Sequence, residues 1–269
     1  MTVVDELSSL YLWGYSGSYH NYQRNDMPNW CYQNLEVRGP SHDLDDFIDA
    51  MQVTEPDSAG VMQTSVELNQ LCPTDSRTFA YKTVTTKEGK EQLIKTYATL
   101  NEDGFDGYAH CVEIWGTKWG ACHIVWDGKK GKYPIRIYFE SAWSPACGLI
   151  KAISSKFPTL LFGLEFTEEA DFFAGCELYQ NGKTINTHDI GSAESDEADA
   201  FLAEIQGKAQ ADNTEVSESD WETYYNMFSE AREVRDEKLL KAFAKSMNDF
   251  GKSYSSKPLK GRVKHQEPF

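Results

Sequence analysis

The sequence lacks the short motifs that mark most nucleotide-dependent, zinc-dependent and serine-dependent enzymes. It has no Walker loop, no Gly-x-Gly-x-x-Gly after a strand, no His-Glu-x-x-His and no Gly-x-Ser-x-Gly. No run approaches 18 consecutive apolar residues, so a membrane-spanning helix is not expected. Basic residues are scarce: 26 Lys and Arg face 42 Asp and Glu, a net charge of −16. Such a chain repels phosphate backbones, which argues against direct nucleic-acid binding. No Cys-x-x-Cys pair occurs among Cys31, Cys72, Cys111, Cys122, Cys147 and Cys176. The start, MTVVDELSSLYLWGYSG, has no positive region followed by an unbroken apolar core, so no export signal is expected. The cysteines therefore read as reduced thiols, most of them buried, in a cytoplasmic protein.

What remains is an ordinary globular composition with many aromatics. Hydrophobic residues make up 40% and charged residues 25% of 269, enough for one sizeable core without disulfide or metal staples. Residues 1–26 form an aromatic extension through Tyr11, Trp13, Tyr15, Tyr19 and Tyr22. It reads as an arm packed on the following domain or as an interaction surface. Residues 27–184 carry the main pattern. A strand is expected at 30–38, a helix capped by Ser41 at 41–52, and a strand at 60–70. Residues 74–104 read as an insertion with a helix at about 88–100, because Leu93, Ile94, Tyr97 and Leu100 follow helical spacing. Strands follow at 121–126 and 134–140, then a helix opened by Ser144-Pro145, then strands at 160–166 and 172–179 ending at the Asn181-Gly182 turn.

Residues 185–269 differ in texture. The stretch 189–222 holds eleven Asp and Glu against one Lys and reads in part as an exposed acidic loop. A helix is expected over 220–250, and Lys252, Lys257, Lys260, Arg262 and Lys264 make a basic tail. The order β–α–β, insertion, β–β–α–β–β predicts an α+β ferredoxin-like sandwich, an antiparallel sheet with helices on one face, plus a C-terminal helical extension.

Three segments carry a resemblance: MPNWCYQNLEVRG at 27–39, WGTKWGA at 115–121, and FESAWSPACGLIKAISSKFPTLLFGLEFTEEADFFAG at 139–175. Together they resemble the YubB-type ferredoxin-like family of uncharacterised proteins carried by conjugative plasmids and bacteriophages. The resemblance covers about 27–182. It implies a ferredoxin-like domain in a mobile-element protein working in the cytoplasm of a bacterial host, and it implies no activity.

The candidate chemistry is correspondingly thin. Cys122 and His123 are metal-ligand types, but neighbours on a strand point to opposite faces, so no metal site and no cofactor are expected. Cys31, Cys147 or Cys176 beside a histidine could make a nucleophile pair, but buried packing accounts for them better. No residue is assigned a catalytic role. Trp115 and Trp119, four apart, would share one face of a helical turn. With Trp30 and Trp143 they read first as core residues, and alternatively as an aromatic pocket with Asn29 and Lys118 as polar handles.

Three functions follow. The leading one is a non-enzymatic binding protein engaging a host protein, itself a nucleic-acid-binding one, as an anti-defence or host-takeover device. Its acidic surface would centre on Asp196, Glu197, Asp199 and Glu204. The alternatives are a small-ligand binder or enzyme using the Trp-lined pocket, and a nucleic-acid-binding module using the sheet and basic tail.

Overall fold

The computed structural model of the chain describes residues 29–56, 61–85, 89, 91–97, 104–126, 128–193 and 195–251. The aromatic extension at 1–26 and the basic tail lie outside the described residues.

The central strand β1, Trp30–Arg38, alternates cleanly enough to split the molecule into two faces. Cys31, Gln33, Leu35 and Val37 point into the main core. Helix α1, Ser41–Met51, buries Leu44, Phe47, Ile48 and Met51, the stripe that its i, i+3, i+4, i+7 spacing dictates. Its N-cap is Pro40 rather than the expected Ser41, and no side chain caps it. Strand β7, Ile135–Ala142, adds Ile135, Ile137 and Phe139 from the other side of β1. Helix α3, Cys147–Lys156, covers them with Leu149, Ile150 and Ile153. It starts two residues later than Ser144-Pro145 would place it, because the Ser144 hydroxyl donates to the Gly116 carbonyl instead of capping a helix. Phe47 meets Phe157 and Phe162 edge-on at 5.2 and 5.5 Å, the geometry that ring quadrupoles favour.

The six-stranded sheet runs β10-β9-β8-β1-β7-β6, every pairing antiparallel. Its remaining strands are β6 (Cys122–Val125), β8 (Leu161–Glu168), β9 (Ala174–Gln180) and β10 (Lys183–Asp189). The unit β1–α1–β6–β7–α3–β8 is the ferredoxin-like sandwich, extended on one edge by β9 and β10. Gln33, fully buried in β1, ties the layers together. Its amide donates to the Ser141 hydroxyl (2.6 Å) and accepts from the Ala146 N–H (2.9 Å), so the polar group at the core satisfies both ends.

Two expectations about the middle of the chain fail. The strand at 60–70 is there as β3, Met62–Val66, but it pairs with β2, Gln52–Pro56, in a hairpin of its own rather than joining the main sheet. The helix at 88–100 is strand β5, Glu91–Tyr97, paired with β4, Phe79–Thr85. Helical spacing of a few apolar residues in so short a window also fits a strand, and the Thr- and Val-containing partner at 79–85 decides for a sheet. The whole stretch from β2 to α2 (Gly107–Trp115) is thus one long excursion between α1 and β6.

Most of the acidic stretch is helical rather than a loop. Ser195 caps helix α4, Asp196–Asp212, by accepting the Ala198 N–H, and Asn213 ends it in the left-handed region. Asp196, Glu197 and Asp199 fall in its first turn, where the helix dipole favours carboxylates. That removes the need for a loop to hold the charge. Helix α5, Glu218–Gly251, is 34 residues, about 50 Å at 1.5 Å per residue. Its C-terminal half covers the second face of β8–β9 through Leu239, Phe243 and Met247. Gly163 makes room for it: a Cβ there would sit 2.3 Å from Met247 Sδ and 2.9 Å from the Phe243 ring. Buried Arg235 anchors it to Asp171 at 2.8 Å, with Arg232 adding a second ion pair to the same carboxylate.

Candidate functional site

The WGTKW segment does not place its tryptophans on one helical face. Helix α2 ends at Trp115, and Gly116 turns the chain at φ 79 while its N–H caps the Val112 carbonyl. Trp115 alone of the four indoles is buried; its N–H donates to the Cys72 carbonyl at 2.7 Å. Trp143 is 50% exposed at a left-handed φ of 71, correcting its reading as core, and it meets Asn29 only through its own N–H on the Asn29 carbonyl (2.9 Å). Trp30 and Trp119 are half-buried and face each other at 5.8 Å. Lys118 lies over the Trp119 ring at 4.7 Å. The expected pocket therefore reduces to Trp30, Trp119 and Lys118.

What the sequence did not reveal is the group beside them. His123 sits at φ 49 in a bulge of edge strand β6, where the pairing with β7 slips between Cys122 and Val125. The bulge puts the imidazole against Trp30, ring centroids 4.8 Å apart. Its Nδ1 lies 2.5 Å from a Glu140 carboxylate oxygen, and the other oxygen of Glu140 accepts the Tyr138 hydroxyl at 3.0 Å. Tyr138 and Glu140 share the open face of β7 because residues two apart on a strand do. In the neutral imidazole, a carboxylate on Nδ1 holds the proton there and leaves Nε2 as the acceptor. The signal in the sequence was the Tyr138-x-Glu140 alternation on a strand flanked by a histidine-bearing partner; no spacing rule places a bulge.

His123 stands at the rim of a groove of about 730 Å³ between β3 and β6. Its wall includes Gln52, Ser65, Glu67, Cys122 and Trp126. The Trp126 indole lies across Gly128, where a Cβ would come within 2.2 Å of Nε1, so glycine permits that ring position.

Cys31, Cys122, Cys147 and Cys176 are unsuited to nucleophilic attack. All six are free. Burial pushes the Cys122, Cys147 and Cys176 thiols up to about 12, and Cys31 further still, so none of these four carries a thiolate near neutral pH. Among the described residues no three His, Cys, Asp or Glu side chains gather closely enough to hold a metal ion. No helix among the described residues is long and apolar enough to cross a membrane.

Asp196, Glu197, Asp199 and Glu204 are all exposed on α4, with Glu204 paired to Lys208 at 2.6 Å. Between 196 and 233, ten carboxylates are exposed against two cations, Lys208 and Arg232. On the adjacent turns of α5, Trp221 stacks on Tyr225 (5.9 Å) and Tyr224 on Phe228 (6.3 Å). Tyr225 is 60% exposed. Acidic surface and aromatic ladder thus share one helical hairpin.

The order of strands and helices from β6 onward has a known counterpart. Residues 122–215 match the family model of the ferredoxin-like domain in Api92-like protein. The match runs from β6 through α4 and leaves β1, the central strand, outside it. The domain is ferredoxin-like, an antiparallel six-stranded sheet with helices and a C-terminal helix. The crystal structure of the protein api92 from Yersinia pseudotuberculosis is similar at 12% identity and a TM-score of 0.38, over 63% of this chain and 100% of that one. No curated protein matches the chain.

Proposed function

We propose that the chain is a non-enzymatic binding protein of a bacterial mobile element, and that its α4–α5 hairpin docks on a basic, nucleic-acid-binding host protein. The observation that carries this reading is the coincidence, on one hairpin, of ten exposed carboxylates with a stacked aromatic ladder. Aromatic side chains supply the anchoring contact area of protein interfaces, and a charge of one sign steers association toward the opposite sign. The mobile-element setting comes from the resemblance of the 27–39, 115–121 and 139–175 segments to YubB-type proteins. The anti-defence role is the use such a protein would have, since occupying a basic groove denies it to nucleic acid.

The open half of the sheet supports a nucleic-acid reading less well. Arg38 and Arg136 both bind the Glu36 carboxylate, at 2.5 and 3.0 Å, and Arg38 also donates to the Met247 carbonyl, so both guanidiniums are already engaged within the protein. The direct test is quantitative capture from a bacterial host lysate. Wild-type protein, Tyr225→Ala and the quadruple variant Asp196→Asn/Glu197→Gln/Asp199→Asn/Glu204→Gln are compared. The expected result is one basic protein enriched by the wild type and lost from both variants. Equal enrichment by all three would overturn the reading.

A further inference from the structure

The histidine at the edge of the sheet belongs to a different surface from the acidic hairpin. Strand β6 is the far edge of the sheet from β9, against which α5 packs. We propose that the groove between β3 and β6 is a binding site for a small organic cation, a guanidinium or ammonium group, recognised by His123 Nε2 and Glu67 against Trp126.

Three features of the site point to this ligand. First, His123 is held in place beyond what a surface histidine needs. Its backbone occupies the left-handed region, its ring packs on Trp30, and its Nδ1 is engaged by Glu140, itself tied to Tyr138. A non-glycine residue kept at positive φ by several independent contacts is a mark of a functional position. Second, in the neutral imidazole a carboxylate on Nδ1 leaves Nε2 as the acceptor, which takes an N–H or O–H from a ligand. Third, the charges are of one sign: among the described residues Glu67 lines the groove, Glu140 engages His123, and no lysine or arginine lines it. The Cys122 thiol is neutral and adds no competing anion. An anionic ligand would be repelled; a donor-rich cation finds a carboxylate, an imidazole acceptor, the Gln52 amide oxygen and an indole ring. Guanidinium and ammonium groups bind aromatic faces in this way. The volume, about 730 Å³, is that of a site for a small molecule or one long side chain.

Glu140 and Tyr138 are positioning residues here, since they act through the His123 ring. Lys118 lies over Trp119, beside Trp30, and so borders the site on its far side without lining the groove.

The test uses the full chain and two probes of one shape, agmatine acetylated on its amine and its uncharged urea counterpart, carbamoylputrescine acetylated in the same way. Binding is followed by amide and indole chemical shifts. The expected result is saturable movement centred on Ser65, Cys122–Trp126 and the Trp126 indole with the guanidinium probe, and none with the urea. His123→Asn keeps a residue that tolerates the left-handed region, and Glu67→Gln changes an exposed side chain, so folding survives in at least the second. Each should weaken binding of the guanidinium probe about tenfold, the scale of one lost charge-assisted hydrogen bond. Glu140→Gln should weaken it less and move the His123 ring resonances without moving those of the core, which a merely structural role would not. The quadruple variant of α4 should bind the guanidinium probe normally, separating this site from the hairpin. Equal binding of the urea probe, shifts centred elsewhere, or unchanged affinity in Glu67→Gln would overturn the proposal.

Discussion

Glu165→Gln should stabilise this protein in alkali and leave it unchanged in mild acid. Glu165 stands in β8 on the face covered by α5 and is only 6% exposed. It pairs in register with Asn34 of β1 and Cys176 of β9. Burial, followed by the nearby carboxylates of Asp236 on α5 and Glu36 on β1, lifts its acid from the ordinary 4.5 to about 7. Below pH 4.5 the group is protonated whether the chain is folded or not, and no stability depends on it. Between 4.5 and about 7 the folded protein holds a proton that the unfolded chain releases, so stability falls as pH rises. Above that range the penalty is fully expressed, about 3 kcal/mol at about 1.4 kcal/mol per pKa unit. Glutamine keeps the shape and cannot ionise. Urea unfolding of both proteins at pH 5 and pH 8 measures the effect. The variant should gain about 3 kcal/mol at pH 8 and no more than about 1 kcal/mol at pH 5. A difference that does not change with pH would show that Glu165 is solvated or neutralised under α5, and that the packing of that helix is misjudged.

Further predictions follow from the same contacts. Gly163→Ala forces a methyl against Met247 and Phe243, and should cost about 1–3 kcal/mol by displacing the C-terminal half of α5; chemical denaturation with helix-resolved hydrogen exchange reads it. Trp115→Ala should cost about 3–5 kcal/mol in the same assay, since it empties a buried site and frees the Cys72 carbonyl. Trp143→Ala, at a half-exposed position, should shift stability by less than about 1 kcal/mol. A comparable loss in Trp143→Ala would return that indole to the core.

Much of the frame was legible in the sequence because it rests on local rules. The apolar stripe of 41–52, the aromatic and β-branched run at 30–38 and the Asn181-Gly182 turn each dictate their element, and each is present. The failures share a cause. Leu93, Ile94 and Tyr97 fit two periods, and only pairing with 79–85 chooses between them. The carboxylates at 196–199 look like loop residues until a helix start at Ser195 gives them a dipole to complement. The site was the least legible part. Trp30, Trp119 and Lys118 do meet, but the residue that completes them is His123, read as a ligand type and set aside because strand neighbours diverge. The bulge that rotates it toward Glu140 is a property of pairing between strands, invisible along one of them.

The most direct test of the binding function is the rate at which the captured host protein associates with the wild type and with the quadruple α4 variant, measured by stopped flow across a salt series. The carboxylates concerned are exposed, so their steering is screened within about 8 Å at physiological ionic strength. The wild-type rate should fall steeply with salt, the variant should start lower and fall less, and the two should converge at high salt with thermal stability unchanged or slightly raised in the variant. Coincident rates for both proteins at every salt concentration would contradict an acidic hairpin that steers this protein to its partner.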